Sequence, residues 1–150
     1  MIPFAYLDSS VLLRRLLGQE GALADWPEIE RGIASALVEV ECLRALDRLR
    51  LASLPGSVSE QDLATRREAM FRILRGIEII EVTKPVLSRA AQPFPTTLGT
   101  LDAIHLATAL LWRDQTGSAL VLATHDTALA RAARACGMPV IGMQSGSQPF

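Results

Sequence analysis

Residues 101–112 (Leu-Asp-Ala-Ile-His-Leu-Ala-Thr-Ala-Leu-Leu-Trp) are apolar nearly all round a helical projection: Leu101, Ala103, Ile104, Leu106, Ala107, Ala109, Leu110, Leu111 and Trp112. A helix of that kind is buried within a domain rather than laid along its surface. The rest of the chain therefore has to fold around it. Its first turn nevertheless carries a carboxylate, Asp102, and the next turn a histidine, His105. A charge at the mouth of a buried helix needs a backbone cap or a cation. The working reading is that Asp102 is one of several acids that meet around a divalent metal.

A chain of 150 residues fits one domain with a sizeable core, here 1–143, followed by a flexible C-terminal tail, 144–150. With 49% hydrophobic and 21% charged residues it is globular rather than disordered. No apolar run approaches the ~18 residues of a membrane span, and the N-terminus lacks the basic start and cleavage site of a signal peptide. A cytoplasmic protein is the expectation. Cys42 and Cys136 form no CxxC pair and are read as buried thiols. Net charge is −1, which argues against a general nucleic-acid binder. Lys84 is the only lysine, and every other basic residue is arginine. Arginine suits bidentate phosphate contacts, but a GC-rich genome explains the bulk count equally well. Position rather than number has to carry a phosphate-binding claim.

Taken in order, residues 4–7 form a short apolar run ending in Asp8-Ser9-Ser10, then 11–17 reads as a helix stopped at Gly18. Ser9 or Ser10 is the expected cap. Residues 21–31 are mixed and broken at Pro27. A possible short strand, 32–35, leads into a helix over 36–50 with Ser35 as its cap. Val38, Cys42, Ala45, Leu46 and Leu49 make the core face of that helix. Glu39 and Glu41 lie on opposite borders of the face, with Arg44 and Arg48 on the Glu41 side.

A loop at 54–57 precedes a helix over 59–75, capped by Ser59 with Asp62 in the capping-box position. Its arginines, 66, 67, 72 and 75, read as a solvated face. Then follow a strand at 77–82, a short helix at 85–92 and the buried helix from 101 to about 114. The apolar strand 119–124 is typical of the centre of a parallel sheet. A helix at 127–135 and a last strand at 139–143 complete the pattern. Strands alternating with helices predict an α/β three-layer sandwich around a mainly parallel central sheet. Function in such sheets collects beyond the carboxyl ends of the strands, where Asp8 and Asp126 both fall.

Asp8, Glu41, Asp102 and Asp126 are thus the candidates to converge as catalytic and metal-binding acids. Oxygen-only acidic ligands select hard cations such as Mg²⁺ or Mn²⁺. These clamp phosphate oxygens and ready a water for in-line attack. Without a cation, four close acids repel one another and some stay protonated. Ser9, Ser10 and Thr124 are positioned to orient ligands or water. Each acid also has a plain structural reading. Asp126 suits a helix cap, Asp102 the favourable end of a helix dipole, and Asp8 a turn. Glu41 suits a pair with Arg44 or Arg48. His105 reads as a packed core histidine and His125 as an exposed loop residue.

Four segments carry a resemblance. They are Tyr6-Leu-Asp-Ser-Ser10, Ser35 with Val40-Glu-Cys-Leu-Arg-Ala45, Leu101-Asp-Ala-Ile-His-Leu-Ala-Thr108, and Thr124-His-Asp-Thr-Ala-Leu-Ala-Arg-Ala-Ala133. In order, and over nearly the whole chain, they resemble the PIN domain, specifically the VapC-type toxin ribonucleases. The resemblance implies that Asp8, Glu41 and Asp102 are the family's first three acids and Asp126 its fourth, more variable one. The Val-Glu-x-x-Arg-Ala pattern selects Glu41 over Glu39. It further implies a Mg²⁺- or Mn²⁺-dependent endoribonuclease acting on tRNA, rRNA or mRNA. A homodimer and a small cognate antitoxin that blocks the site are implied as well. The segment between the first helix and Ser35 is short for the family.

A PIN-like module that binds RNA without cutting it remains open as the alternative. A phospho-acceptor domain of similar build wants paired acids after the first strand and a late lysine. Here one acid follows that strand, and Lys84 lies in a Lys-Pro turn. Neither a P-loop nor a dinucleotide glycine pattern occurs.

Overall fold

The structure, a computed structural model, describes residues 1–52 and 58–144. Among them, strands and helices follow the order β1 (Ile2–Leu7), α1 (Ser9–Leu16), a 3-10 turn (Trp26–Glu28), β2 (Ile29–Ser35), α2 (Leu37–Ala52) and α3 (Glu60–Arg75). Then come β3 (Ile77–Ile80), α4 (Lys84–Ala90), α5 (Thr100–Thr116), β4 (Val121–Ala123), α6 (Thr127–Ala135) and β5 (Val140–Ile141). The strands form one parallel sheet in the order β3-β2-β1-β4-β5.

A parallel sheet has to be covered on both faces, and the period of two along each strand supplies two apolar faces. From β1, Ala5 and Leu7 pack with Val11 and Leu12 of α1, Val38 and Cys42 of α2, and Met70 and Leu74 of α3. Tyr6, with Phe4 beside it, faces the other way onto Leu106, Leu110 and Trp112 of α5 and Leu129 and Ala133 of α6. Ile33 and Ala34 of β2, and Leu122 and Ala123 of β4, divide in the same manner. α4 lies along α5. This is the expected three-layer sandwich.

The order of the strands fixes where a site can form. The chain steps outward from β1 to β2 and β3, then returns to lay β4 on the opposite side of β1. After β1 the chain enters α1 on one face; after β4 it enters α6 on the other. The winding reverses between these two strands, and a crevice opens beyond their carboxyl ends.

Several local expectations are corrected. β2 begins at Ile29, not Gly32, because pairing with β1 extends it: Ile2 aligns with Ile29 and Phe4 with Arg31. Only its last three residues are buried, and in the first half Ile29 alone is apolar, followed by the exposed Glu30 and Arg31. Neither Ser9 nor Ser10 caps α1; both are helical, and Asp8 holds the N-cap position. Ser35 lies one residue further from its helix than a standard cap, yet its Oγ accepts from the Leu37 N–H at 3.2 Å. Cys42 is buried, and burial pushes its thiol up to about 12, whereas Cys136 is only half-buried. The capping box of α3 forms as expected, with Ser59 Oγ accepting from the Asp62 N–H at 3.1 Å. The expected loop at 54–57 lies outside the described residues. So does the expected tail except for Gln144, which is exposed.

Gly142, just past β5, has φ +96°, and a Cβ there would sit 2.7 Å from the Thr124 carbonyl oxygen. Gly117, at the C-cap of α5, has φ +67° but open space around it. Gly117→Ala should therefore cost only the left-handed backbone penalty, about 1 kcal/mol. Gly142→Ala adds a backbone clash and should cost about 3 kcal/mol in total. Urea unfolding of the two variants checks this. Equal losses would show that close approach at Thr124 is not a constraint.

Candidate active site

Asp8 and Thr124 are the residues that follow β1 and β4, so the reversal of winding places them side by side. An aspartate at an N-cap ordinarily turns its carboxylate onto the helix N–H groups. Asp8 makes no such bond. Its Oδ2 instead accepts from Ser10 Oγ at 2.7 Å and from Thr124 Oγ1 at 2.8 Å. Only 4% of the residue is exposed, and a buried carboxylate is tolerated when hydrogen-bonded in this way. The two hydroxyls are themselves held. Thr124 Oγ1 accepts from the Asp126 N–H at 3.0 Å, and Ser10 Oγ accepts from the His125 N–H at 3.0 Å.

Asp126 caps α6, accepting from the Leu129 N–H at 2.8 Å. The plain helix-cap reading therefore describes one of its oxygens. His125 is not the exposed loop residue expected: it is half-buried, and its Nδ1 bonds to the Gly142 carbonyl at 2.7 Å.

Glu41 projects from α2, and Glu39 beside it is exposed. Glu41 pairs with neither arginine. Arg44 bonds to Asp47 at 3.0 Å, and Arg48 is exposed. The partner of Glu41 is His105, whose Nε2 lies 2.5 Å from Glu41 Oε1. Ser9 Oγ donates more weakly to Oε2 at 3.4 Å.

His105 is thus more than packing. It is fully buried, and its Nδ1 meets the Tyr6 hydroxyl at 2.7 Å. Burial opposes a charge on the ring, but the Glu41 hydrogen bond and the charges of Glu41, Asp8 and Asp102 outweigh it and raise its pKa. Burial pushes the Tyr6 phenol far up, and the charges of Asp8 and Glu41 push the same way. Reading the sequence missed this pair because apolar neighbours mask a polar pairing across 99 residues. The available signal was chemical: a buried imidazole needs two partners.

Asp102 occupies the first turn of α5, is half-buried, and has no hydrogen-bond partner among the described residues. Burial, then the charges of Asp126 and Asp8, and lastly Glu41, push its carboxyl up to about 6, against the pull of His105. The four acids therefore share one electrostatic field. None forms an ion pair with arginine or lysine among the described residues.

An unbalanced set of carboxylates suits a hard cation. Among the described residues, no three His, Cys, Asp or Glu side chains stand close enough to form a ready-made cage. Mg²⁺ does not require one, since it keeps several waters and binds through one or two carboxylates. An unpaired Asp102 and the remaining lone pairs of Asp8 fit such an ion.

Parallel α/β folds with acids at the switch crevice include the PIN domain, and the PIN domain family matches residues 5–135 of this chain. The chain is 33% identical over 145 residues to Ribonuclease VapC35 of Mycobacterium tuberculosis, covering 91% of this chain and 94% of that one. It belongs to the PIN-domain family, in the VapC branch. Among solved structures, a toxin–antitoxin complex from Klebsiella pneumoniae superposes with a TM-score of 0.62 at 21% identity, covering 91% of this chain and 95% of the other. VapBC2 from Rickettsia felis, bound to a DNA fragment from its promoter, gives 0.63 at 10% identity over 91% and 96%. These two likenesses speak to the fold.

The raised Asp102 pKa has a consequence for stability. In the unfolded chain the carboxyl titrates near 4, in the folded one near 6. The folded state binds the proton more tightly, so this group favours folding below pH 4, and that contribution is lost as pH rises through 6. Asp102→Asn should therefore stabilise the metal-free protein at pH 7.5, by on the order of 1 kcal/mol once solvent screening is allowed for. Tm should rise by about 2–4 °C. The gain should vanish at pH 4. Thermal unfolding at the two pH values checks this, and a loss of stability at pH 7.5 would contradict the cost of burying this charge beside the other acids.

Proposed function

We propose that this chain is a metal-dependent endoribonuclease toxin of the VapC type, hydrolysing RNA phosphodiester bonds and held inactive by a small cognate antitoxin. The observation that carries the reading is Asp8. A carboxylate buried at the strand-order switch gives up its helix cap to be held by Ser10 and Thr124, in the field of an unpartnered Asp102. Neither feature serves stability. Similarity to Ribonuclease VapC35 supports the substrate class.

Asp8 and Asp102 are the residues proposed to hold Mg²⁺ or Mn²⁺, with Glu41 and Asp126 contributing directly or through water. When bound, the ion neutralises charge on the scissile phosphate and lowers the pKa of an attacking water. The protein's share is placement. Ser10 and Thr124 fix the Asp8 carboxylate, Ser9 and His105 hold the two oxygens of Glu41, and α5 carries Asp102 on a buried support. Arg44 and Arg48 follow Glu41 at three and seven residues along α2, so they line the same side and are proposed to meet RNA phosphates. Residues 1–143 are proposed as the nuclease unit, acting as a homodimer in the cytoplasm on tRNA, rRNA or mRNA. Among the described residues no helix is long and apolar enough to cross a membrane.

Purified protein should cleave RNA with Mg²⁺ or Mn²⁺ and stop with EDTA. Asp8→Asn and Asp102→Asn should each lower the rate at least ~100-fold, since a metal-held oxyanion is worth several kcal/mol and each ~1.4 kcal/mol is tenfold. Circular dichroism should show both variants folded. Binding without cleavage by the wild type would establish the RNA-binding alternative, and equal cleavage by all three proteins would point to a contaminant.

Removing both arginine charges, Arg44→Gln with Arg48→Gln, should weaken RNA binding and flatten its salt dependence. Two lost single-strand phosphate contacts reduce the log–log slope by about 1.4. An unchanged slope would make both arginines structural, as the Arg44–Asp47 pair already partly is.

A further inference from the structure

We propose that His105, Tyr6 and the backbone N–H of Ser35 form a buried relay that positions the Glu41 carboxylate for metal binding. This rests on the reading of Glu41 as a metal-site acid, and it adds two positioning residues outside the acid set.

The direction of the relay follows from donor and acceptor inventory. An ionised carboxylate only accepts, so the hydrogen between Glu41 Oε1 and His105 must sit on Nε2. At the other end, the Tyr6 oxygen accepts from the Ser35 N–H at 3.2 Å. Its own hydrogen is then free to point at His105 Nδ1, 2.7 Å away. If the ring carries a second proton, the phenol oxygen still has a lone pair to receive it. In either state Nε2 presents its hydrogen to Glu41.

Packing alone does not account for this arrangement. A fully buried imidazole costs free energy that leucine or methionine in the same place would not. The relay also links the helices on the two faces of the sheet by way of the neighbouring strands β1 and β2. Tyr6 is on β1, Ser35 ends β2, His105 is on α5 and Glu41 is on α2. Ser35 further fixes the start of α2 through its Oγ. The strand end that anchors the relay is therefore the one from which the Glu41 helix departs.

The consequence concerns one oxygen. Glu41 has a long side chain that loses rotamer freedom when fixed. His105 fixes it through Oε1, while Oε2 carries only the 3.4 Å Ser9 contact. Oε2 is thereby held in place with lone pairs to spare for a cation or its water. Hydrogen-bonded partners of ligating carboxylates commonly change metal affinity by 10–100-fold.

The test is Mn²⁺ affinity, read by electron paramagnetic resonance titration of the full-length protein without RNA. His105→Leu should weaken Mn²⁺ binding roughly 10–100-fold, and Tyr6→Phe should act in the same direction at the lower end of that range. In a Glu41→Gln background, where the carboxylate is gone, either change should alter affinity by less than ~2-fold. Equal effects in both backgrounds, or unchanged affinity in the single variants, would overturn the relay and leave His105 as packing. Should His105→Leu fail to fold by circular dichroism, Tyr6→Phe and its cycle with Glu41→Gln decide the matter. Asp8→Asn separates the two levels of inference. If Asp8→Asn binds Mn²⁺ like the wild type, or if the wild type binds none, the metal reading of the acids falls, and the relay with it. Loss of binding in Asp8→Asn with an unaffected His105→Leu removes the relay alone.

Discussion

The hydrogen bond from Thr124 to Asp8 is the contact on which the site depends. It exists because β4 returns to pair with β1, and the Asp8 N–H bonds to the Ala123 carbonyl at 3.0 Å as the pairing ends. One strand contributes a carboxylate, the other a hydroxyl, and the sheet sets their separation before either side chain moves. Around this pair the chain is already closely spaced. Gly142 passes against the Thr124 carbonyl, and His125 is tied to Gly142. The end of β5 thus buttresses the residue that holds Asp8.

The electrostatics run against stability, and the fold only partly offsets them. α1 and α6 begin directly after Asp8 and Asp126, and α5 carries Asp102 in its first turn, so positive ends of helix dipoles face the acids. Such ends contribute partial charges. The full charges nearby are nearly all negative, with His105 the one titratable group pulling the other way on Asp102. Asp126 spends an oxygen on its cap, Asp8 spends one on two hydroxyls, and Glu41 spends one on His105 and, more weakly, the other on Ser9. Asp102 spends none. Among the described residues Asp102 has no local partner, and burial followed by the charges of Asp126 and Asp8 pushes its carboxyl up.

What the sequence disclosed, and what it hid, follows from the range of the interactions involved. Elements set by local chemistry were legible. The apolar 119–124 run marked an interior strand, Ser59 with Asp62 marked a capping box, and Asp8 and Asp126 were assigned to strand ends by the runs before them. The first half of β2 was not, because Ile29-Glu-Arg owes its strand to pairing with β1 and not to its own pattern. The acids were legible as a set, since each abuts a regular element. Their individual bonds were not. The plain structural reading of Glu41 pairs it with arginines one and two turns along its own helix, yet it is bonded to a histidine 64 residues away. His105 was read as packing because apolar neighbours surround it in sequence. In space, its two ring nitrogens meet the two polar groups within reach.

These relations give a reason for the apolar helix itself. An acid that serves a cation must be fixed, but its oxygens must stay unspent. Hydrogen bonds fix Asp8 through one oxygen and Glu41 chiefly through Oε1, with only the long Ser9 contact on Oε2. For Asp102 the fixing is moved from the side chain to the backbone. α5 buries Ala103, Leu106, Ala107, Ala109, Leu110 and Trp112 between the sheet and its neighbours, so the helix cannot roll or slide without opening the core. Leu101, beside the acid, is half exposed, so the burial begins just inside the crevice. A conventional amphipathic helix would seat one stripe only and leave its first turn free to shift. Apolar contact on most sides holds the Asp102 backbone with no polar bond to its carboxylate. The apolar circumference and the lone charge at its mouth are then two parts of one device, and the raised affinity of Asp102 for a proton reflects its burial and the acids around it.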